Sequence, residues 1–413
     1  MWSPHVCGGR PPTRRRGTCP RLAVAVAVAA ALVGCRGCRA AGQDAGPSGG
    51  DGGALVGFDA APRPGAPRPG MAFIPAGTFR AGTPLDRAPR IATEELPGVP
   101  VEMGPFYIDI FPFPNEPGAI PQPNVSRDEA ARLCGEKGKR LCTKLEWERA
   151  CKGPDSATYE YGDTYRSSPC GTGQSAELGF RRPSGERSAC RSGFGVRELH
   201  GGAWEWTQST WGRGTHDPSM GVLRGGNAEA GEIVGRCANA IGRLASKRQA
   251  SFGFRCCAGD PSSAEVTLDV HLAAHTLTLL AKPEERAAPL LPLLDTAEWG
   301  SRDLAVDRAW IWQPVGNEDL LVFGGCTPEG PARRCGFVVG RAQPPGSTTL
   351  TAADSAPRVL AQLVFPRAMA EMKTTGDPSR IHAKAVDVKG RYVKEISYSY
   401  GRVSVSGPQR VAE

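Results

Sequence analysis

Eleven cysteines follow residue 35 in this chain, and whether they are thiols or bridges decides how the rest of it holds together. Of the 14 in all, Cys7 and Cys19 precede the end of an apolar stretch, residues 22–34, that reads LAVAVAVAAALVG, and Cys35 follows it directly. Arg14, Arg15 and Arg16 stand before that stretch. A basic segment, an apolar run too short to span a bilayer and then small residues is the pattern of a signal peptide, here residues 1–34. Export makes disulfides the default state of the cysteines beyond it. The signal also accounts for the charge. The formal net charge is +8, but residues 1–34 carry five arginines and no acid, so the remaining 45 basic and 42 acidic side chains leave +3. No run of lysine and arginine is interleaved with aromatics, which argues against nucleic acid as a partner.

The apolar stretch ends in Leu32, Val33, Gly34 and Cys35, which resembles the bacterial lipobox, where the cysteine is lipidated. Lipidation at Cys35 would attach the chain to a membrane surface without spanning it. Arg36 in place of an aspartate after that cysteine points to the outer membrane, by analogy with enteric bacteria. Residues 35–70 are mostly glycine, proline and alanine with little to bury, the composition of a flexible tether.

Beyond the tether, residues 71–259 carry two helix signatures. Ser126-x-x-Glu129 is a capping box opening RDEAARLCGEK, with Gly138 at the stop. Thr143-x-x-Glu146 opens KLEWERACK, with Gly153 at the stop and Trp147, Ala150 and Cys151 on one face. Between and after them lie short apolar runs broken by glycine and proline, such as AFIPAGTF, PFYIDIF, GVLRGG and GFRCC. These read as short strands, making a loop-rich α+β domain.

The blocks FIPAGTFRAGT, PFYIDIF, VSRDEAARLCGEKGKRLCTKLEWERACKG, YEYGD, FGVRELHGGAWEWTQSTW, VLRGG and FGFRC resemble, in order, the signatures of the formylglycine-generating enzyme (sulfatase-modifying factor) family. The resemblance implies a compact, loop-rich fold distantly like C-type lectins. In working members it also implies copper-dependent oxidation of a sulfatase cysteine to formylglycine. It further implies bridges between Cys134 and Cys256 and between Cys151 and Cys237. Cys170 and Cys190 flank one variable loop and are free to pair with each other, and Cys142 and Cys257 then remain for a fifth bridge.

The chemistry of the family needs two thiolates, because Cu(I) selects soft sulfur ligands. The resemblance places both between the glycine pair Gly225-Gly226 and GRCANAIGR. Counted back from Cys237, the second falls on Glu232, and the first falls in a shorter segment near Asn227 and Ala228. Neither position holds cysteine, so copper is not expected. The tryptophan motif departs too. Where the family has an asparagine that helps hold calcium, this chain has Gly202, leaving Glu205 and backbone carbonyls. Either Glu205 keeps a weakened calcium site, or Trp204 and Trp206 are core and Glu205 makes a hydrogen bond.

Residues 260–413 resemble no family. EVTLDVHL, IHAKAVDV and RVSVS alternate with period two, and Lys389-Gly390 suits a turn. LLVFGGCTPEGPARRCGFVVG reads as a hairpin bridged between Cys326 and Cys335. The expectation is a small, mainly antiparallel β domain. His271 and His275 share a strand face there but lack a third metal ligand.

Two functions follow from this reading. One is a lipid-anchored envelope protein whose family domain lacks catalysis and binds a protein or glycan partner or plays a structural role. The other is a copper-dependent formylglycine-generating or related oxidase with a rearranged site. The anchor is directly testable: Cys35→Ser should move the protein from the membrane fraction to the soluble fraction, as followed by fractionation and immunoblotting.

Overall fold

A short polar side chain placed before an apolar helical repeat fixes where each helix begins. The computed structural model describes residues 66–410 except 176–181, 214, 267–276, 316–317, 342–355, 367–368, 388–389 and 408. Cys35, His271 and His275 therefore lie outside the described residues. Helix α1, Arg127–Glu136, starts at Ser126, whose Oγ accepts the Glu129 backbone N–H at 3.3 Å. The Glu129 carboxylate turns to Arg248 rather than back to the cap, so the expected box is half made. Helix α2, Lys144–Lys152, has both arms: Thr143 Oγ1 accepts from Glu146 N at 3.2 Å and Glu146 Oε2 accepts from Thr143 N at 2.8 Å.

The expected buried face of α2 was too narrow. Every residue of α2 is buried, including Lys144, Glu146, Glu148, Arg149 and Lys152. Each of these side chains has a hydrogen-bond or ion-pair partner. Arg140 forks onto Glu146 with both bonds at 2.8 Å, and Arg149 donates to the carbonyl of Pro75 at 2.6 Å. Glu148 lies between Lys152 at 3.0 Å and Arg224 at 2.8 Å and accepts Gly82 N at 2.6 Å. Burial alone would raise the Glu148 carboxyl, but the charges of Lys152 and Arg224 outweigh it and hold the group below its ordinary value.

Around the helices lie three small sheets. One takes Met71–Ile74, Phe106–Asp109, Cys256–Ala258 and Arg140–Leu141 in that order, and a second pairs Gly77–Gly82 with Pro97–Met103. The third runs Ala240–Leu244, Thr215–Gly225, Trp204–Arg213 and Phe252–Phe254, its last pair parallel. Successive residues of a strand point to opposite faces, so neighbouring cysteines reach different layers. Cys256 bridges to Cys134 of α1 in one apolar cluster, while Cys257 bridges to Cys142 in another. Cys151 of α2 bridges to Cys237, and Cys170 to Cys190. The first three bridges close separations of 122, 115 and 86 residues. On chain-entropy grounds each contributes about 4–5 kcal/mol.

The C-terminal residues form two antiparallel sheets. One runs Leu277–Leu279, Ala305–Trp312, Leu320–Cys326, Arg334–Arg341 and Arg358–Pro366. The other runs Met369–Thr374, Arg380–Asp387, Gly390–Ser399 and Arg402–Val405, with Gln409–Arg410 also paired to Gly390–Ser399. The hairpin read between residues 320 and 340 is present, with Cys326 opposite Cys335 and bridged to it. Leu320 and Val322 face the second sheet, where they meet Ile381 and Ile396. Leu321 and Phe323 face short helices the sequence reading missed, α3 (Pro283–Ala287) and α4 (Thr296–Trp299), and pack on Ala287 and Trp299. A strand covered on both faces reads as an unbroken apolar run, as LLVF does.

Residues Asp59–Glu413 make one compact unit, and the join across residue 260 is charged and dry. Arg90 and Glu318, 228 positions apart, pair at 2.7 Å with 1% and 2% of their side chains exposed. Glu318 also accepts from Tyr398 Oη at 2.9 Å and from Arg341. Burial, and then the Glu318 carboxylate, push the Tyr398 phenol up, so it remains a donor. The Tyr400 carbonyl accepts from Arg90 N at 2.9 Å. No helix among the described residues is long and apolar enough to cross a membrane.

Removing Glu318 strands a buried guanidinium. Glu318→Ala should lower the unfolding free energy by about 3–5 kcal/mol, measured by chemical denaturation of the oxidised protein. Glu318→Gln should cost less, since its amide oxygen still accepts a hydrogen bond.

Candidate functional site

The segment where the family chemistry would sit is framed at both ends by arginine. The Thr215–Gly225 strand carries Arg224, 1% exposed, which donates to the carbonyls of Ala238 at 2.8 Å and Asn239 at 3.2 Å and to Glu148. The chain then turns at Gly225, φ +92°, where a Cβ would stand 2.6 Å from the Leu199 carbonyl oxygen. Only glycine fits there. At the far end Arg236 is fully buried, forks onto Glu95 and donates to Thr83 Oγ1 at 3.3 Å. Cys237, bridged to Cys151, follows it.

Within this frame, Asn227 forms an isolated bridge with Gly202, and its side chain donates to Glu229 at 3.2 Å. Ala228 is buried, its carbonyl accepting Gln174 N at 2.8 Å, and the Ala230 carbonyl accepts Gly173 N at 3.0 Å. Glu232 is half exposed, and its carboxylate accepts from Arg402 of the C-terminal half at 3.4 Å. The Glu232 carbonyl accepts Tyr159 Oη at 2.8 Å. Among the described residues all ten cysteines are bridged, so no thiol faces this segment. Two carboxylates, an amide and backbone groups suit hydrogen bonding and not Cu(I).

Glu205 is held by an arginine and a tryptophan. It is 2% exposed, and Arg255 donates to its oxygens at 2.7 and 2.8 Å while Trp147 Nε1 donates to Oε2 at 2.7 Å. Arg255 neutralises the carboxylate and adds bonds to the carbonyls of Arg197 and Glu198, both at 3.1 Å. Trp206 is core and donates to the Val125 carbonyl at 2.9 Å. The cleft beside Gly202, lined by Pro112, Pro121 and Pro183, has a volume of about 30 Å³, room for little beyond water. A larger cavity of about 520 Å³ lies on the C-terminal half against Arg333, Arg334 and Lys394.

The reading of the sequence had no means to find Arg402, Arg90 or Glu318 as neighbours of this region. Arg402 opens RVSVS, which signals a strand and nothing about its partner. His200 and Glu160 sit inside the quoted blocks ELHGGAWEW and YEYGD, but nothing in those blocks brings them together.

Residues 113–259 match the sulfatase-modifying factor enzyme 1-like domain, and these residues form such a domain. The chain is 29% identical over 154 residues to the Bos taurus "Inactive C-alpha-formylglycine-generating enzyme 2", covering 34% of this chain and 50% of that one. It is 30% identical over 101 residues to the Bos taurus "Formylglycine-generating enzyme", covering 21% and 26%. The chain thus spans about half the length, or less, of these relatives. Among solved structures it is similar to PvdO from Pseudomonas aeruginosa at 21% identity, with 45% of this chain and 93% of that one covered and a TM-score of 0.38.

A direct check of Glu205 is calcium titration. Saturating calcium should leave the thermal midpoint of the wild type unchanged, whereas a rise that Glu205→Gln abolishes would restore the calcium reading.

Proposed function

We propose that the sulfatase-modifying-factor domain of this chain is non-catalytic and serves as a binding or structural module. We place it in an exported lipoprotein held to the cell envelope through Cys35 and the tether. On this reading its loop-rich frame is of the C-type-lectin-like kind, and its partner is a protein or a glycan.

One observation carries the reading. At the positions where the resemblance puts two Cu(I)-binding thiolates, this chain has Glu232 and the segment around Ala228, and Glu232 is paired with Arg402. A hard carboxylate is a poor ligand for Cu(I) and has no redox chemistry with a substrate thiol. Arg402 further supports it, since a carboxylate engaged by a guanidinium is occupied in a hydrogen bond rather than free to hold a metal. The similarity to a relative named as inactive points the same way. The residues present do not fit copper.

The reading is tested with a sulfatase peptide carrying Cys-x-Pro-x-Arg. The protein should convert none of its cysteine to formylglycine, with or without added copper, as judged by mass spectrometry. Glu232→Cys alone should restore nothing, since one thiolate does not complete a two-thiolate site. Oxygen-dependent conversion by the wild type would overturn the proposal.

A further inference from the structure

Away from the degenerate segment, Glu160, Cys170 and Cys190 bring their donor atoms within 4.8 Å of one another at a buried point, and His200 Nδ1 stands 3.8 Å from Glu160 Oε1. Glu160 sits in the turn closed by Tyr159 and Gly162, Cys170 and Cys190 bracket the loop that follows, and His200 precedes Gly201. All four are buried, with 2% of Glu160, 1% of His200 and none of either cysteine exposed. Gly201 has φ +82°, and a Cβ on it would stand 1.8 Å from the Cys170 carbonyl oxygen, so the approach of the two segments requires glycine.

The polar atoms here are poorly served while the sulfurs are bridged. Glu160 Oε1 lies against both Sγ atoms, which as a disulfide have no proton to donate. Its Oε2 accepts one backbone N–H, from Leu199 at 3.0 Å. His200 Nδ1 is 3.8 Å from Glu160 Oε1, beyond hydrogen-bond reach, and neither ring nitrogen has a hydrogen-bond partner among the described residues. A buried imidazole with no hydrogen-bond partner, beside a buried carboxylate that accepts a single N–H, is costly unless something completes it.

We propose that in its dithiol state this cluster binds one zinc ion through Cys170 Sγ, Cys190 Sγ, Glu160 and His200. Four donors from Cys, His and Glu are a complete tetrahedral set for zinc. Zinc–ligand distances near 2.0–2.3 Å put neighbouring donors about 3.3–3.8 Å apart. The Glu160 to His200 separation of 3.8 Å falls in that range, and Glu160 Oε1 and the two sulfurs already lie within 4.8 Å of one another. The Leu199 N–H would orient the carboxylate from behind.

The two states exclude each other. A dithiol reductant passes two electrons and two protons to the bridge and is itself left as a disulfide; zinc then displaces the two thiol protons. In an oxidising compartment the bridge is the resting state. The loop concerned also donates Gly173 N and Gln174 N to Ala230 and Ala228, so in the bridged state it props the degenerate segment. The proposal is independent of whether that segment is catalytic.

The test uses the full chain, reduced with a dithiol and dialysed against zinc, with bound metal quantified and Co(II) substituted to reveal thiolate charge-transfer absorption. One equivalent should be retained by the wild type and by the Cys326→Ser/Cys335→Ser control. Affinity should fall by about tenfold or more in Cys170→Ser and in Glu160→Gln. Glu160→Gln keeps both cysteines, so its recovery of the Cys170 to Cys190 bridge on reoxidation certifies the fold. Zinc retention equal in wild type, Cys170→Ser and Glu160→Gln, or no retention by the reduced wild type, would overturn it.

Discussion

One buried carboxylate ties together the parts that frame the family segment. Glu148 on α2 accepts from Gly82 on one strand, from Lys152 a turn along its own helix, and from Arg224 on another strand. Arg224 in turn holds the carbonyls of residues 238 and 239. The loop from 227 to 236 is therefore clamped from one side by a guanidinium and from the other by the Cys237 bridge to α2. A buried ion pair adds little net stability over apolar packing, but losing one partner is severe. Its value here is positional: it fixes which segments meet.

The bridges work on the same segments from the other side. Because Cys256 and Cys257 point to opposite faces of one short strand, a single element is fastened to α1 in one apolar layer and to the Cys142 segment in the next. A region with so little regular structure has few ladder hydrogen bonds to stabilise its folded state, and long-range cross-links act instead by restricting its unfolded state. This frame survives without the family's two thiolates because nothing in the clamp depends on them.

The C-terminal half is joined in part through buried charge. Arg90, Glu318, Arg341 and Tyr398 satisfy one another where water is excluded, and Arg402 reaches Glu232 nearby. A carboxylate at that position is useless to Cu(I) but is a good acceptor for a guanidinium. Glu232 thus supplies a contact to the second half.

What the sequence determined by itself was local. Ser126 and Thr143 announced the starts of α1 and α2, since a cap acts over three residues. LLVFGGC and RCGFVVG announced a bridged hairpin, since both arms and the turn are contiguous. The lack of cysteine between Gly226 and Cys237 could be read directly. Tertiary structure decided which distant groups meet the buried charges. It buried the charged face of α2, because the matching groups come from residues 75–82, 140 and 224. It gave Glu205 to Arg255, brought His200 to Glu160, and set Arg402 on Glu232 across 170 positions. Spacing along a chain encodes the neighbours of a helix turn or a hairpin; it carries no record of which distant charged groups folding will bring together.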